Sequence, residues 1–210
     1  MRSPSSTVVV LTGAVTDGIV GGLGRLPNVQ ALRLTPEGAP PLREVLGAAH
    51  RPFLVHDLDP LAAVSRAWAG FFDDPSTLGT LRVETAAALS AFAAGEAVLP
   101  DYYLVLGPES LDPREGAWWL GVLAGVAPAR VIPVPATTAA VQQALAALPS
   151  GRAWPEPAGW LGELRNRVPD HAGLVGPGGM TVARSGLRTG AHAGAGAASP
   201  VSGPSGTIGS

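Results

Sequence analysis

The sequence predicts an α/β domain, a doubly wound and mostly parallel five-stranded sheet of flavodoxin-like or Rossmann-like kind, followed by a disordered C-terminal tail. Three observations carry this. Between residues 7 and 134, five short runs rich in β-branched and aromatic residues recur. The stretches between them place apolar residues at helical spacing, and beyond about residue 175 both patterns stop. Strands that alternate with helices build parallel sheets covered on both faces.

Thr7-Val8-Val9-Val10-Leu11 is an unbroken β-branched and aliphatic run ending at Thr12-Gly13, the pattern of a first strand buried on both faces. Asn28 to Leu34 is a second strand, followed by the turn-rich stretch 35–40. Leu42, Val45, Leu46 and Ala49 mark a helix, with Pro41 suited to its first turn. Pro52 to Asp57 is the third strand. Asp59-Pro60 reads as a cap before a helix that carries Leu61, Val64, Trp68, Phe71 and Phe72 on one face, and Asp73-Asp74-Pro75 stops it. The alanine-rich stretch Arg82 to Leu99 is a second helix in the same crossover.

Tyr102 to Leu106 is the fourth strand, closed by Gly107-Pro108. Asp112-Pro113 repeats the cap pattern before a helix with Trp118, Trp119, Val122 and Leu123. Consecutive helical residues lie about 100° apart, so one of Trp118 and Trp119 is expected in the core and the other nearer an edge. Arg130 to Val134 is the fifth strand. Thr137 or Thr138 caps a helix through Val141, Leu145 and Leu148, and a last helix from about Glu156 to Val168 turns Trp160, Leu161 and Leu164 inward. The folded domain is thus expected over 1–174. From Val175 onward there is no aromatic and no acidic residue. Such a segment cannot bury enough apolar surface to offset its ordering, so 175–210 is expected as a tail.

Composition removes several chemistries. With 46% hydrophobic residues in 210, the chain can build its own core. It has no cysteine, hence no thiol nucleophile, iron–sulfur cluster or thiolate zinc site. All 14 basic residues are arginine. That excludes a Walker-type phosphate loop, a Schiff-base lysine and a protein kinase. His50, His56, His171 and His192 show no ligand spacing, and neither a metal nor a cofactor is expected. The formal net charge of −2 and the scattered arginines argue against a nucleic-acid partner. No apolar stretch reaches the length of a membrane span and the N-terminus lacks a signal h-region, so the expectation is a cytoplasmic protein with no membrane partner. A second copy of the chain is admitted as an assembly partner.

In open α/β sheets, ligands bind outside the carboxyl ends of the strands. The loops there carry Gly13, Thr16 and Asp17 after the first strand, Asp57 and Asp59 after the third, and Glu109, Asp112 and Glu115 after the fourth. Asp59, Asp112 and Thr137 also have ordinary work as helix caps. The glycines after the first strand arrive too late for a dinucleotide fingerprint, and Asp17 would repel phosphate. His56 and Asp57 are adjacent on a strand and point to opposite faces, which excludes a direct pairing. No Gly-x-Ser-x-Gly elbow occurs. Gathered carboxylates favour a ribose-like hydroxyl donor or a cation over a bare phosphate. The ligand-binding set expected is Gly13, Thr16, Asp17, Asp57 and Glu109.

The succession Asp101-Tyr102-Tyr103-Leu104-Val105-Leu106, Asp112-Pro113-Arg114-Glu115-Gly116-Ala117-Trp118-Trp119-Leu120-Gly121 and Arg130-Val131-Ile132-Pro133-Val134 resembles the nucleoside 2-deoxyribosyltransferase group and the related TIR-type N-glycosidases over about residues 101–134. The resemblance implies an essential glutamate on this helix just before the hydrophobic–glycine step. Trp119 holds that place here, and Glu115, one turn earlier, would substitute, with Asp112 as its partner. The expected partner is then a nucleoside-like small molecule. Against this enzymatic alternative, a non-catalytic small-molecule-binding or protein-interaction domain is the favoured expectation, because fold does not dictate function.

Overall fold

The computed structural model describes residues 6–34, 40–74, 77–149 and 153–167. The expected tail and the end of the expected domain, 168–174, lie outside the described residues. Strands β1 (Thr7–Gly13), β2 (Val29–Leu32), β3 (Phe53–His56), β4 (Tyr102–Leu106) and β5 (Val131–Val134) form one parallel sheet in the order β2-β3-β1-β4-β5. The α/β class and the parallel five-stranded sheet are as the alternating pattern predicts. The order sets β3 between β2 and β1, whereas flavodoxin-like sheets run 2-1-3-4-5 and Rossmann halves 3-2-1.

The run Val8 to Leu11 is buried throughout because both faces of the sheet are covered. On one face α1 (Asp17–Gly24) and α7 (Thr138–Ala146) pack over Val9, Leu11, Val55, Leu104 and Leu106. On the other, α2 (Leu42–Ala48) covers Val8 and Leu54. Beside it α3 (Ala62–Asp73), α4 (Leu78–Ala94) and α8 (Pro157–Leu161) build the aromatic-rich core over Val10, Tyr103 and Val131. Among the described residues, no helix is long and apolar enough to cross a membrane.

Two helices differ from their patterns, one displaced and one shortened. α4 starts at Leu78 and ends at Ala94 because Gly95 takes a left-handed conformation (φ 69°), and its N–H caps the carbonyls of Ala91 and Phe92. The last expected helix is α-helical only over Pro157–Leu161, then tightens into a 3₁₀ turn at Leu164–Asn166. Trp160, Leu161 and Leu164 are nonetheless buried as expected.

The helix after β4 begins as α5 (Pro113–Gly116), passes through a π-helical segment at Ala117–Leu123 and closes as α6 (Ala124–Val126). Its wider winding lets Ala117, Trp118, Trp119, Val122 and Leu123 all be buried. Trp118 is fully enclosed, 5.6 Å from Trp68 between ring centroids. Trp119 lies 5.3 Å from Tyr103 and keeps 8% of its surface open.

This topology places a switch point at β1. Its crossover helix α1 lies on one face, whereas the connections leaving its neighbours β3 and β4 lie on the other. A crevice opens where neighbouring connections diverge.

Candidate functional site at the carboxyl end of the central strand

A cleft of about 380 Å³ occupies that switch point. Thr12 and Gly13 line it from the end of β1, Arg33 from beyond β2, and Asp57 and Asp59 from beyond β3. Arg66 of α3 and the pair Glu115 and Trp119 of the β4 crossover complete the walls. The volume falls within the range of small-molecule sites.

Gly13 has φ +76°, and a Cβ there would stand 2.5 Å from the carbonyl oxygen of Leu106. Its glycine identity thus lets β1 turn against β4. Arg33 is braced between two acids: Nε donates to Oδ2 of Asp57 at 2.5 Å, and Nη1 donates to Oδ1 of Asp17 at 2.5 Å. Asp57 is almost fully enclosed (4% side-chain exposure) and also accepts from the Leu34 N–H at 2.6 Å, whereas Asp17 is 92% exposed.

The parallel register sets His56 and Tyr103 on either side of Val10, so all three share one face. The Tyr103 hydroxyl donates to Oδ1 of Asp59 at 2.9 Å, and the Leu61 N–H donates to the same oxygen at 3.0 Å. Asp59 Oδ2 is buried and has no partner, nor has the buried Thr12 Oγ1. Burial pushes the Asp59 carboxyl up to about 6, against the pull of its two hydrogen bonds and of Arg66, and drives the Tyr103 phenol well above its ordinary value. His56, 1% exposed, is driven down to about 4 by burial, against the pull of Asp57 and of the Leu58 backbone.

No family model, curated protein or solved structure matches this chain.

Of the expected residues, Gly13, Asp57 and Glu115 come together in the cleft. Thr16 caps α1 by accepting from the Ile19 N–H, and Asp17 stands outside the lining as the outer partner of Arg33. Glu109 is exposed on the 3₁₀ turn Pro108–Ser110. Asp112 accepts from the Arg114 N–H at 2.9 Å as the cap of α5 and does not line the cleft. Among the described residues, no group of three or more histidines and acids is placed to hold a metal ion.

Four contributors escape sequence reasoning: Thr12, Arg33, Arg66 and Tyr103. Asp59 is legible as a polar residue of a carboxyl-end loop and as a cap, but it is not in the expected ligand-binding set. The available signal for Thr12 is a hydroxyl at the Val8-Val10-Thr12 alternation of an otherwise aliphatic strand. A second groove of about 210 Å³ lies between α4 and the α8 segment. Its walls are mainly Leu and Ala with Arg82 and Arg165, and none of the unpartnered buried polar atoms lines it. The chemistry therefore concentrates in the switch-point cleft.

Proposed function

We propose that this domain binds a small hydroxyl-bearing molecule, nucleoside-like in size, in the cleft at the carboxyl end of β1. The observation that carries this is that two residues lining one cleft, Thr12 and Asp59, each hold a buried oxygen without a partner, Oγ1 and Oδ2. A buried unpaired polar atom costs about 1–3 kcal/mol. Two of them at a topological switch point are the mark of groups kept for a ligand. Trp119 supplies an apolar wall and Arg66 and Glu115 supply charge of both signs at the same opening, a common make-up for small-molecule sites.

The test is a thermal-shift screen against nucleosides, nucleotides and NAD. A nucleoside should raise the midpoint with a logarithmic dependence on its concentration, and Thr12→Val should weaken the shift. A screen in which nothing moves the midpoint overturns the proposal.

One observation favours an enzymatic alternative, a nucleoside N-glycosidase: Glu115 lines the same cleft as Asp59. Two carboxylates of different environment suit a reaction that needs one ionised and one protonated acid. In that case Asp59, rather than Asp112, partners Glu115. Release of free base from a nucleoside, lost in Glu115→Gln, is the measurement that decides it.

A further inference from the structure

Asp59 is used unevenly. Both of its donors, Tyr103 and Leu61, converge on Oδ1, while Oδ2 is buried without a partner. A capping role needs only one accepted hydrogen bond and gives no reason to enclose the second oxygen. Thr12, 7% exposed, lines the same cleft from a different element and also holds a buried oxygen without a partner.

The charged and titratable groups around Asp59 restrict what fits beside it. Tyr103 faces it from β4, Arg66 from α3 and Glu115 from α5 across the cleft, and the Asp57–Arg33 pair stands at the ends of β3 and β2. A cationic ligand group would meet Arg66, and a phosphate would meet Asp59 and Glu115. A neutral hydroxyl avoids both repulsions.

We propose that Asp59 and Thr12 are the anchor for a neutral polyhydroxyl ligand, a sugar ring or vicinal diol, one of whose O–H groups donates to Oδ2 of Asp59. This deepens the small-molecule proposal above and rests on it. An ionised Asp59 accepts that bond as a charged acceptor, whereas a protonated one donates its own O–H to the ligand oxygen in a neutral bond of about half the strength. Binding therefore displaces the Asp59 proton to solvent, and the ligand keeps all of its hydrogens. With the carboxyl titrating at about 6, affinity should be weaker at pH 5 than at pH 7.5, by up to about ten-fold.

The experiment measures midpoint shifts at pH 5 and pH 7.5 for D-ribose, adenosine, ribose 5-phosphate and ethanolamine, with the parent, Asp59→Asn and Thr12→Val. Asparagine retains Oδ1 for Tyr103 and Leu61, so its fold should persist, and circular dichroism checks this. The result expected is a shift with ribose or adenosine that is larger at pH 7.5 in the parent, has no pH dependence in Asp59→Asn and is reduced in Thr12→Val. Calorimetry in two buffers of different ionisation enthalpy should show up to one proton released in the parent and none in Asp59→Asn. Shifts equal at both pH values, or larger at pH 5, overturn the anchor but leave a binding cleft. So do shifts confined to ribose 5-phosphate or ethanolamine. If none of the four probes shifts the parent, this proposal and the binding function fall together. A folded Asp59→Asn that keeps the parent's pH dependence assigns the proton to another group.

Discussion

Tyr103 donates its phenolic hydrogen to Asp59 across 44 residues of sequence, at 2.9 Å, joining β4 to the loop after β3 beside the cleft. The bond favours the ionised carboxyl, in opposition to the burial that favours the neutral one. Tyr103→Phe should therefore raise the Asp59 titration midpoint above its value of about 6, followed by carboxyl-carbon NMR. The same change should cost about 1–2 kcal/mol of stability, because it removes one net hydrogen bond without opening a cavity. An unchanged midpoint would show that the bond does not govern the acid.

Arg33 holds two aspartates of very different exposure, 4% for Asp57 and 92% for Asp17. Removing the guanidinium leaves the enclosed Asp57 with the Leu34 N–H but without its close cation. Arg33→Ala should cost about 2–4 kcal/mol, toward the range for breaking a buried pair. Asp17→Ala should leave the urea midpoint within error, since exposed pairs contribute little. Equal losses in the two variants would contradict this division.

His56 and Asp59 respond to acid in opposite senses. His56 falls from 6.5 to about 4 on folding, so the folded chain binds fewer protons than the unfolded one between those values. The stability present above pH 6.5 is lost as the pH falls through that window, by about 3 kcal/mol. Asp59 rises from 3.8 to about 6, so the folded chain binds more protons there. Its contribution is fully present below pH 3.8 and is lost as the pH rises through 6, again by about 3 kcal/mol. The two slopes largely cancel between pH 4 and 6. Denaturant unfolding of Asp59→Asn should thus show a steeper acid loss than the parent, and of His56→Leu a shallower one. Parallel pH profiles for parent and variants would sink this account.

Gly13 and Gly21 separate backbone need from mere tolerance. At Gly13 the positive φ and the 2.5 Å approach to Leu106 oxygen both oppose a side chain. Gly13→Ala should destabilise by on the order of 1–3 kcal/mol and weaken any ligand shift by moving the end of β1. Gly21 lies inside α1 with nothing within 4 Å of a Cβ. Alanine there should stabilise by about 0.5–1 kcal/mol, read as a raised melting midpoint.

The fold was legible where local pattern and tertiary role coincide. Tyr102–Leu106 is a strand with the predicted bounds, because an apolar β-branched and aromatic run has only one way to be buried on both faces. Thr137 caps α7 as its position before a periodic helix suggests. α4 was placed four residues late and carried five too far, because alanine-rich composition hides the stop signal that Gly95 supplies by its left-handed backbone. The π-helical winding at Ala117–Leu123 has no sequence cue, and it is what buries both Trp118 and Trp119.

By itself the sequence determined the alternation of strands and helices, the caps at Asp112 and Thr137, and the polar carboxyl-end loops, because each depends on residues within a few positions of one another. Only the tertiary structure decided the strand order, which makes β1 the switch point, and the company of Asp59. Its donor Tyr103 arrives from β4, the nearby charge of Arg66 from α3, and Thr12 lines the same cleft from β1. A local reading sees Asp59 as a cap because the Leu61 N–H is two residues away. The burial that raises its pKa and leaves one oxygen without a partner is created only when elements distant in the chain pack around it.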